Sequence, residues 1–216
     1  MARRPHNIIK WKNLRMFMNT NFKTHSAAIG WVGILAVTAF IAMWLACYQA
    51  DSSWTWGYNS LSDFGISYGT PAANYFNYGM VTVGALLAVY GIGRLQYNKK
   101  KGGYAAGGIF LAMAGFTIIL IGLLTKDVQS ADYHNFFAVL TAMFLALALI
   151  AITVQEYKDG MVLPLGVSIF VVVAIAAFAL LFNFAKFEVY AIVAGLLWVA
   201  VDAAIMIATG IKEGRQ

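Results

Sequence analysis

The chain has 216 residues, of which 61% are hydrophobic and only 11% charged, and its formal net charge is +6. Soluble domains are about 25% charged, so this composition excludes an ordinary water-soluble fold and predicts a protein that lies in lipid. The basic residues cluster beside apolar runs, a pattern that orients membrane proteins and argues against nucleic-acid binding. The single cysteine, Cys47, excludes an internal disulfide and a cysteine-rich metal site.

Residues 1–26 form a basic segment ahead of the apolar part of the chain. Ile8, Trp11, Arg15 and Met18 recur in it at helical spacing. This pattern is typical of an amphipathic helix that lies on the membrane surface. A solvated tail held by anionic lipid explains the charge equally well. The sequence predicts one of these two arrangements, on the cytoplasmic side.

Six apolar runs follow, each close to the roughly 20 residues that a helix needs to cross the hydrocarbon core. Backbone groups in lipid must be hydrogen-bonded within their own segment, so each run is predicted to be a helix. The predicted fold is therefore an all-α bundle of six transmembrane helices over residues 27–211, followed by a short tail at 212–216. The predicted spans are 27–48, 72–95, 103–124, 135–154, 161–182 and 189–211.

The distribution of Lys and Arg predicts the orientation of the bundle. With six spans, all of the 15 basic residues except Lys126 and Lys186 fall on the side that holds both chain ends. Basic residues are enriched in cytoplasmic segments, so both termini are predicted to be cytoplasmic. The loop between the first two spans, residues 49–71, then faces outward.

This outer loop is the longest polar segment between two apolar runs, and it combines aromatic with polar side chains. We therefore expect any specific binding to occur here. Asn74 and Asn77 lie three residues apart on one face of the second span, where they are predicted to anchor the loop. The predicted binding residues are Asn59, Ser60, Ser62, Asp63, Asn74 and Asn77.

Three residues on the outer side are candidates for acid–base or metal chemistry: Asp63, Asp127 and His134. If the outer loop folds down, Asp63 could meet His134, and hydrolysis would then need a metal with an activated water. No His-x-x-x-His or His-Glu-x-x-His spacing occurs, so no metal or cofactor is predicted. In the structural alternative, Asp63 caps a turn through the backbone amides after it, and His134 sits at a wet helix end.

Asp202 is the ionisable residue that the sequence places deepest in a span. It follows Val189 by thirteen residues, which is roughly 20 Å along a helix. Such a residue could relay protons or bind a cation, or it could pair with a group on a neighbouring helix. The sequence pattern places no second ionisable residue in mid-membrane, which favours a structural partner.

Small residues mark places where helices can approach closely. Gly103 and Gly107, and then Gly108 and Ala112, form small-xxx-small pairs, with Gly115 one turn further. Such residues suit tight helix packing. They predict contacts inside the bundle, with a dimer seam as the alternative.

The residues Asn59-Ser60-Leu61-Ser62-Asp63-Phe64-Gly65 after the first span, with Ala73–Gly79, Gly122, Asp127 and His134, resemble domain of unknown function 998. The resemblance extends from about residue 27 to 211. It implies a six-helix membrane protein of the prokaryotic plasma membrane, without an assigned activity. Its Ser-Asp-Gly loop is also similar to one in eukaryotic proteins linked to autophagy and glycolipid-anchor remodelling, which implies a distant connection to lipids.

Three functions remain as predictions. The first is a non-catalytic protein that uses the outer loop to bind membrane lipids, a partner subunit or a second copy of itself. The second is a lipid-directed enzyme at the outer interface that uses Asp63, Asp127 and His134. The third is a carrier of a small solute or protons that uses Asp202.

Overall fold

The computed structural model describes residues 8–66, 69–97, 100–126 and 131–214, and side chains within them from residue 26 to residue 212. It contains six long helices and one short 3₁₀ helix, and the described residues include no strand. The long helices are α1 (Ile8–Ala50), α2 (Ala72–Tyr97), α3 (Gly102–Leu123), α4 (Ala131–Lys158), α5 (Val162–Leu181) and α6 (Phe184–Gly214), and the 3₁₀ helix is Leu61–Ile66.

The all-α fold with six membrane spans is confirmed, because each long helix contains a stretch long and apolar enough to cross a membrane. The observed helices extend beyond several predicted spans, most of all at α1, and next at α4 and α6, because polar residues at helix ends continue the helix outside the apolar run. The architecture is that of a multi-pass membrane protein. Which side faces the cytoplasm stays a prediction from the basic residues.

The N-terminal segment differs in one respect from the expected layout. Helix α1 begins at Ile8 and continues without a break to Ala50, so the backbone of most of the basic segment is helical and joined to the first span. The domain boundary predicted at residue 26 therefore falls inside one helix.

Each helix packs against its neighbours in the chain, and α1 also packs against α6, which closes the six helices into a ring. The contact between α2 and α3 is the most extensive one, while α5 makes the fewest contacts with its neighbours. Only Ser168 and Val171 of α5 are buried. One side of the ring, at α5, is thus loosely packed and presents apolar side chains to lipid.

The glycines of α2 and α3 explain the close contact between these helices. A Cβ atom built on Gly115 would lie 2.4 Å from the amide nitrogen of Ala88, and one on Gly91 would lie 2.4 Å from that of Ala112. Glycine is required where two backbones approach this closely. The predicted packing role inside the bundle is thus confirmed for Gly115.

Two sets of buried residues fill the ring. One lies on the side that holds both chain ends (the terminal side) and includes Tyr90, Leu111, Ile152 and Trp198. The other lies beneath the outer loop on the opposite side (the loop side) and is formed by Phe40, Met43, Cys47, Trp54, Leu61, Phe64, Ala72, Phe76, Val83 and Val189. The outer loop is therefore part of the core and not a free surface segment.

Candidate functional site

The outer loop is held on the bundle by Trp54 and the 3₁₀ helix. The ring of Trp54 stacks on Phe64 with 4.9 Å between centroids, and its indole nitrogen donates a hydrogen bond of 2.9 Å to the carbonyl of Ser60. A buried indole needs a partner for its N–H group, and the loop backbone supplies it. The aromatic content of the loop thus fixes its fold as well as its surface.

The polar residues Asn59 to Asp63 form the start of the 3₁₀ helix. Asp63 Oδ2 accepts a 2.8 Å hydrogen bond from the amide of Ser60 and a 3.4 Å bond from the Asn59 side-chain amide. The hydroxyls of Ser60 and Ser62 are 3.0 Å apart. Asp63 therefore caps the amide three residues before it, as the acid of a capping box does. The prediction that it caps the amides after it is wrong in direction.

Lys126, from the connection between α3 and α4, is the ionic partner of Asp63. Its ammonium group lies 2.7 Å from Asp63 Oδ1 and donates a 3.1 Å hydrogen bond to the Ser60 hydroxyl. Burial alone would raise the pKa of Asp63, but the bonds from Lys126 and Ser60 outweigh it and hold the pKa below its usual value. One feature of the sequence indicates this ion pair, because Lys126 is one of only two basic residues predicted on the outer side.

Two further side chains fasten the loop to the helices. Glu188 of α6 accepts a 2.8 Å hydrogen bond from the amide of Leu61. Asn77 of α2 donates a 3.3 Å bond to the carbonyl of Gly65, which is the anchoring contact expected of it. Asn74 is exposed. Glu188 thus binds the loop backbone.

His134 lies at the start of α4 and is only 2% exposed. Its Nδ1 atom is 2.7 Å from the carbonyl of Leu124, the residue that ends α3. We assign Nδ1–H as the donor, since a carbonyl can only accept. The expected wet position is therefore wrong, because the imidazole is buried where it joins α4 to the end of α3.

The structure describes two of the three candidates for outer-side chemistry, and each of these two has a different partner. Asp63 is paired with Lys126, His134 is bonded to a backbone carbonyl, and Asp127 lies outside the described residues. Among the residues that the structure describes, no three His, Cys, Asp or Glu side chains are placed to hold a metal ion. A nucleophile or general base needs an accessible side chain. Here Asp63 is bonded within the outer loop and to Lys126, and His134 is bonded to the end of α3.

The Asp63–Lys126 contact predicts a pH dependence of the outer loop. Because the pKa of Asp63 is lower in the folded protein than the roughly 3.9 of an unfolded chain, its contribution to stability is complete above that value. The contribution is lost as the pH falls through the folded pKa. We expect faster hydrogen exchange at the Ser60 amide, which donates to Asp63, below about pH 4, after correction for intrinsic rates. Asp63→Asn should exchange fast at every pH, and identical profiles for the two proteins would contradict this role.

A second polar site lies among the helices, on the terminal side. Asp202 of α6 pairs with Arg94 of α2, with 2.7 Å between Nη1 and Oδ2, and also accepts a hydrogen bond from the Tyr90 hydroxyl. Arg94 is only 3% exposed. The prediction that Asp202 has a partner on another helix agrees with this contact. The partner, Arg94 in the last turn of α2, was not predicted.

Arg94 and Asp202 lie at the centre of this buried site, and residues from other helices surround them. The Arg94 guanidinium lies 5.0 Å from the ring centroid of Tyr104 in α3. Glu156 of α4 is 3% exposed and lies within electrostatic range of both Arg94 and Asp202. Ser168 of α5 is next to Glu156. Five of the six helices thus contribute to one polar site, which the sequence pattern did not reveal.

Comparisons with known proteins give one match. The model of the family described as "Protein of unknown function (DUF998)" matches residues 25–209 of the chain. No curated protein and no solved structure matches it significantly.

Proposed function

The chain belongs to the DUF998 family, whose description assigns no activity, and we propose that it binds a membrane lipid on its loop side without catalysing a reaction. The observation that carries this proposal is an aromatic rim between α1, α5 and α6. The rim is formed by Trp44, Trp56, Phe178, Phe182 and Tyr190. Aromatic rings of this kind are enriched at the level of lipid headgroups.

The rings of the rim are in direct contact. Trp56 stacks on Trp44 with 6.1 Å between centroids and meets Tyr190 edge-on at 5.7 Å. Tyr190 in turn lies 5.0 Å from Phe182. Trp56 is 42% exposed and Phe182 38% exposed, while the other three rings are half-buried, so the rim is open to lipid at Trp56 and Phe182.

The rim lies beside the loosest part of the ring. Helix α5, which carries Phe178, buries only two residues and exposes most of its apolar side chains, including Leu180 and Leu181. A lipid can therefore place its acyl chains along α5 and its headgroup at the rim. This arrangement needs no catalytic group, in keeping with the internal bonds of Asp63 and His134.

The positive charge of Lys186 favours a lipid with an anionic headgroup. Its aliphatic chain lies over Gly57, since a Cβ atom at Gly57 would be 2.6 Å from Lys186 Cε. Gly57 has a φ of 81°, and its carbonyl accepts a 3.1 Å hydrogen bond from Asn183. The backbone around Lys186 is thus fixed, and its ammonium group lies next to the rim.

The experiment is native mass spectrometry of the protein after mild detergent extraction from membranes that contain both neutral and anionic lipids. We expect a retained anionic lipid and about fivefold weaker binding in Trp56→Ala, from the loss of about 1 kcal/mol of apolar contact between the indole and the lipid. Lys186→Gln should remove the preference for anionic over neutral lipid. Tyr157→Ala, which removes an exposed aromatic ring on the terminal side, is the matched control and should change neither value.

Three other results of this experiment would contradict lipid binding at the rim. A stoichiometric protein partner, with no lipid retained, would replace lipid binding by a role as a subunit. Equal lipid occupancy in Trp56→Ala and Tyr157→Ala would exclude the rim as the binding surface. Turnover of the bound lipid that is lost in His134→Ala would favour an enzyme.

A further inference from the structure

Glu156 is the most unusual side chain of the buried site on the terminal side. It is 3% exposed, and its Oε2 atom is buried without a hydrogen-bond partner. A buried carboxylate normally has its oxygens hydrogen-bonded or paired with a cation, because an uncompensated charge costs several kcal/mol. The state of this carboxyl group therefore requires an explanation.

The charge balance of the site explains why Glu156 can be buried without a partner for its Oε2 atom. Arg94 and Asp202 are in direct contact at 2.7 Å, so one positive and one negative charge already offset each other. An ionised Glu156 would leave the site with a net charge of one negative unit inside the bundle. A net buried charge of this kind is costly. A proton on Glu156 removes it.

Among the side chains that the structure describes, the neighbours of Glu156 supply no other charge that could balance it. Helix α5 offers only the Ser168 hydroxyl, and it carries no ionisable residue. Helix α3 offers the Tyr104 phenol, and α2 offers Tyr90 beside Arg94. At the end of α4 itself, Asp159 is already paired with Lys101 at 2.8 Å.

We propose that Glu156 is a proton-binding site within the bundle, and that Arg94 is the cation for which its carboxylate competes with Asp202. When Glu156 loses its proton to water, the new carboxylate attracts the guanidinium, and the Arg94–Asp202 pair loosens. When Glu156 is protonated, Arg94 stays paired with Asp202, as in the structure. The site thus couples one proton to the position of Arg94 and so to the contact between α2 and α6.

The site lies close to the terminal end of the bundle. Glu156 lies two residues before Lys158, the last residue of α4, which is about 3 Å along the helix axis. The adjoining Lys101 side chain is 53% exposed. The proposal is separate from lipid binding, because the aromatic rim lies at the opposite end of the bundle.

Infrared difference spectroscopy of the full chain in lipid nanodiscs tests the proposal directly. At neutral pH we expect the C=O band of a protonated carboxyl group, with the downshift in D₂O that such a group shows. Glu156→Gln should lose this band, while Asp132→Asn, a change at an exposed acidic residue of the same helix, should retain it. A wild-type spectrum without the band, or a band that survives in Glu156→Gln, would overturn the proposal.

Asp202→Asn distinguishes competition for Arg94 from a purely structural role of Glu156. Without the Asp202 carboxylate, Arg94 is left to Glu156, which should then ionise. The protonated-carboxyl band should disappear at neutral pH and return only in more acidic buffer. If the band persists unchanged at neutral pH in Asp202→Asn, the two carboxylates do not compete and the proposal fails. This comparison remains decisive even if Glu156→Gln does not fold.

Discussion

Asp202→Ala is expected to destabilise the bundle by about 3–5 kcal/mol, because it leaves the Arg94 guanidinium buried without its carboxylate. The pair is almost fully enclosed, with 4% and 7% of the two side chains exposed, and the Tyr90 hydroxyl loses the same acceptor. Ionisation of Glu156, which interacts with Arg94 at longer range, offsets only part of the desolvation cost that a guanidinium without its direct counter-ion retains. The loss should therefore exceed that of most single substitutions.

The chain contains a matched control for this prediction. Lys101 and Asp159 form an ion pair of nearly the same length, 2.8 Å, but the lysine side chain is 53% exposed. Exposed pairs contribute about 0–1 kcal/mol, so Asp159→Ala should have little effect. Arg94→Leu combined with Asp202→Leu should recover most of the loss, since apolar replacement of both partners of a buried pair is often neutral.

The single cysteine provides the measurement. Cys47 is fully buried and its thiol donates a 3.6 Å hydrogen bond to the carbonyl of Ala72, so a thiol reagent reaches it only when the bundle opens. Labelling during titration with a denaturing detergent gives the unfolding midpoint of each variant. Equal midpoints for Asp202→Ala and Asp159→Ala would show that burial does not increase the importance of the Arg94 pair.

The spans were predictable because lipid imposes a simple requirement on sequence. A helix that crosses the hydrocarbon core needs about 20 apolar residues, and Pro71 and the glycines near residue 102 mark where such runs stop. The outer loop was also recognisable, since residues 49–71 are the one long polar connection. Its internal bonds were harder to predict, because Asp63 and Lys126 are 63 positions apart in the chain.

The buried polar site escaped prediction for a related reason. In helices that are apolar all round, hydrophobic periodicity does not tell which face meets which neighbour. Asp202 could be recognised as deep, but Arg94 is 108 positions away and lies one turn from the end of its helix. Glu156 likewise resembles an ordinary polar residue at a helix end. Only the packing of α2, α4 and α6 brings these side chains together.

Gly115→Ala is the second substitution with a large expected effect, although it adds only one methyl group. The new Cβ atom would lie 2.4 Å from the amide nitrogen of Ala88 and 2.5 Å from the carbonyl oxygen of Gly84. Both are backbone atoms, so no side chain can rotate out of the way. The helices α2 and α3 must separate, and overpacking of this kind costs about 1–3 kcal/mol or more.

Gly166→Ala is the matched control, because Gly166 lies inside α5 and a Cβ atom there would meet nothing within 4 Å. Alanine favours a helix over glycine by about 1 kcal/mol, so this variant should be as stable as the wild type or slightly more stable. Detergent titration with Cys47 labelling compares the two. Similar midpoints would mean that α2 and α3 do not touch through their backbones. A large difference would support the view that tight packing of α2 on α3 forms the rigid side of the ring, opposite the loosely held α5.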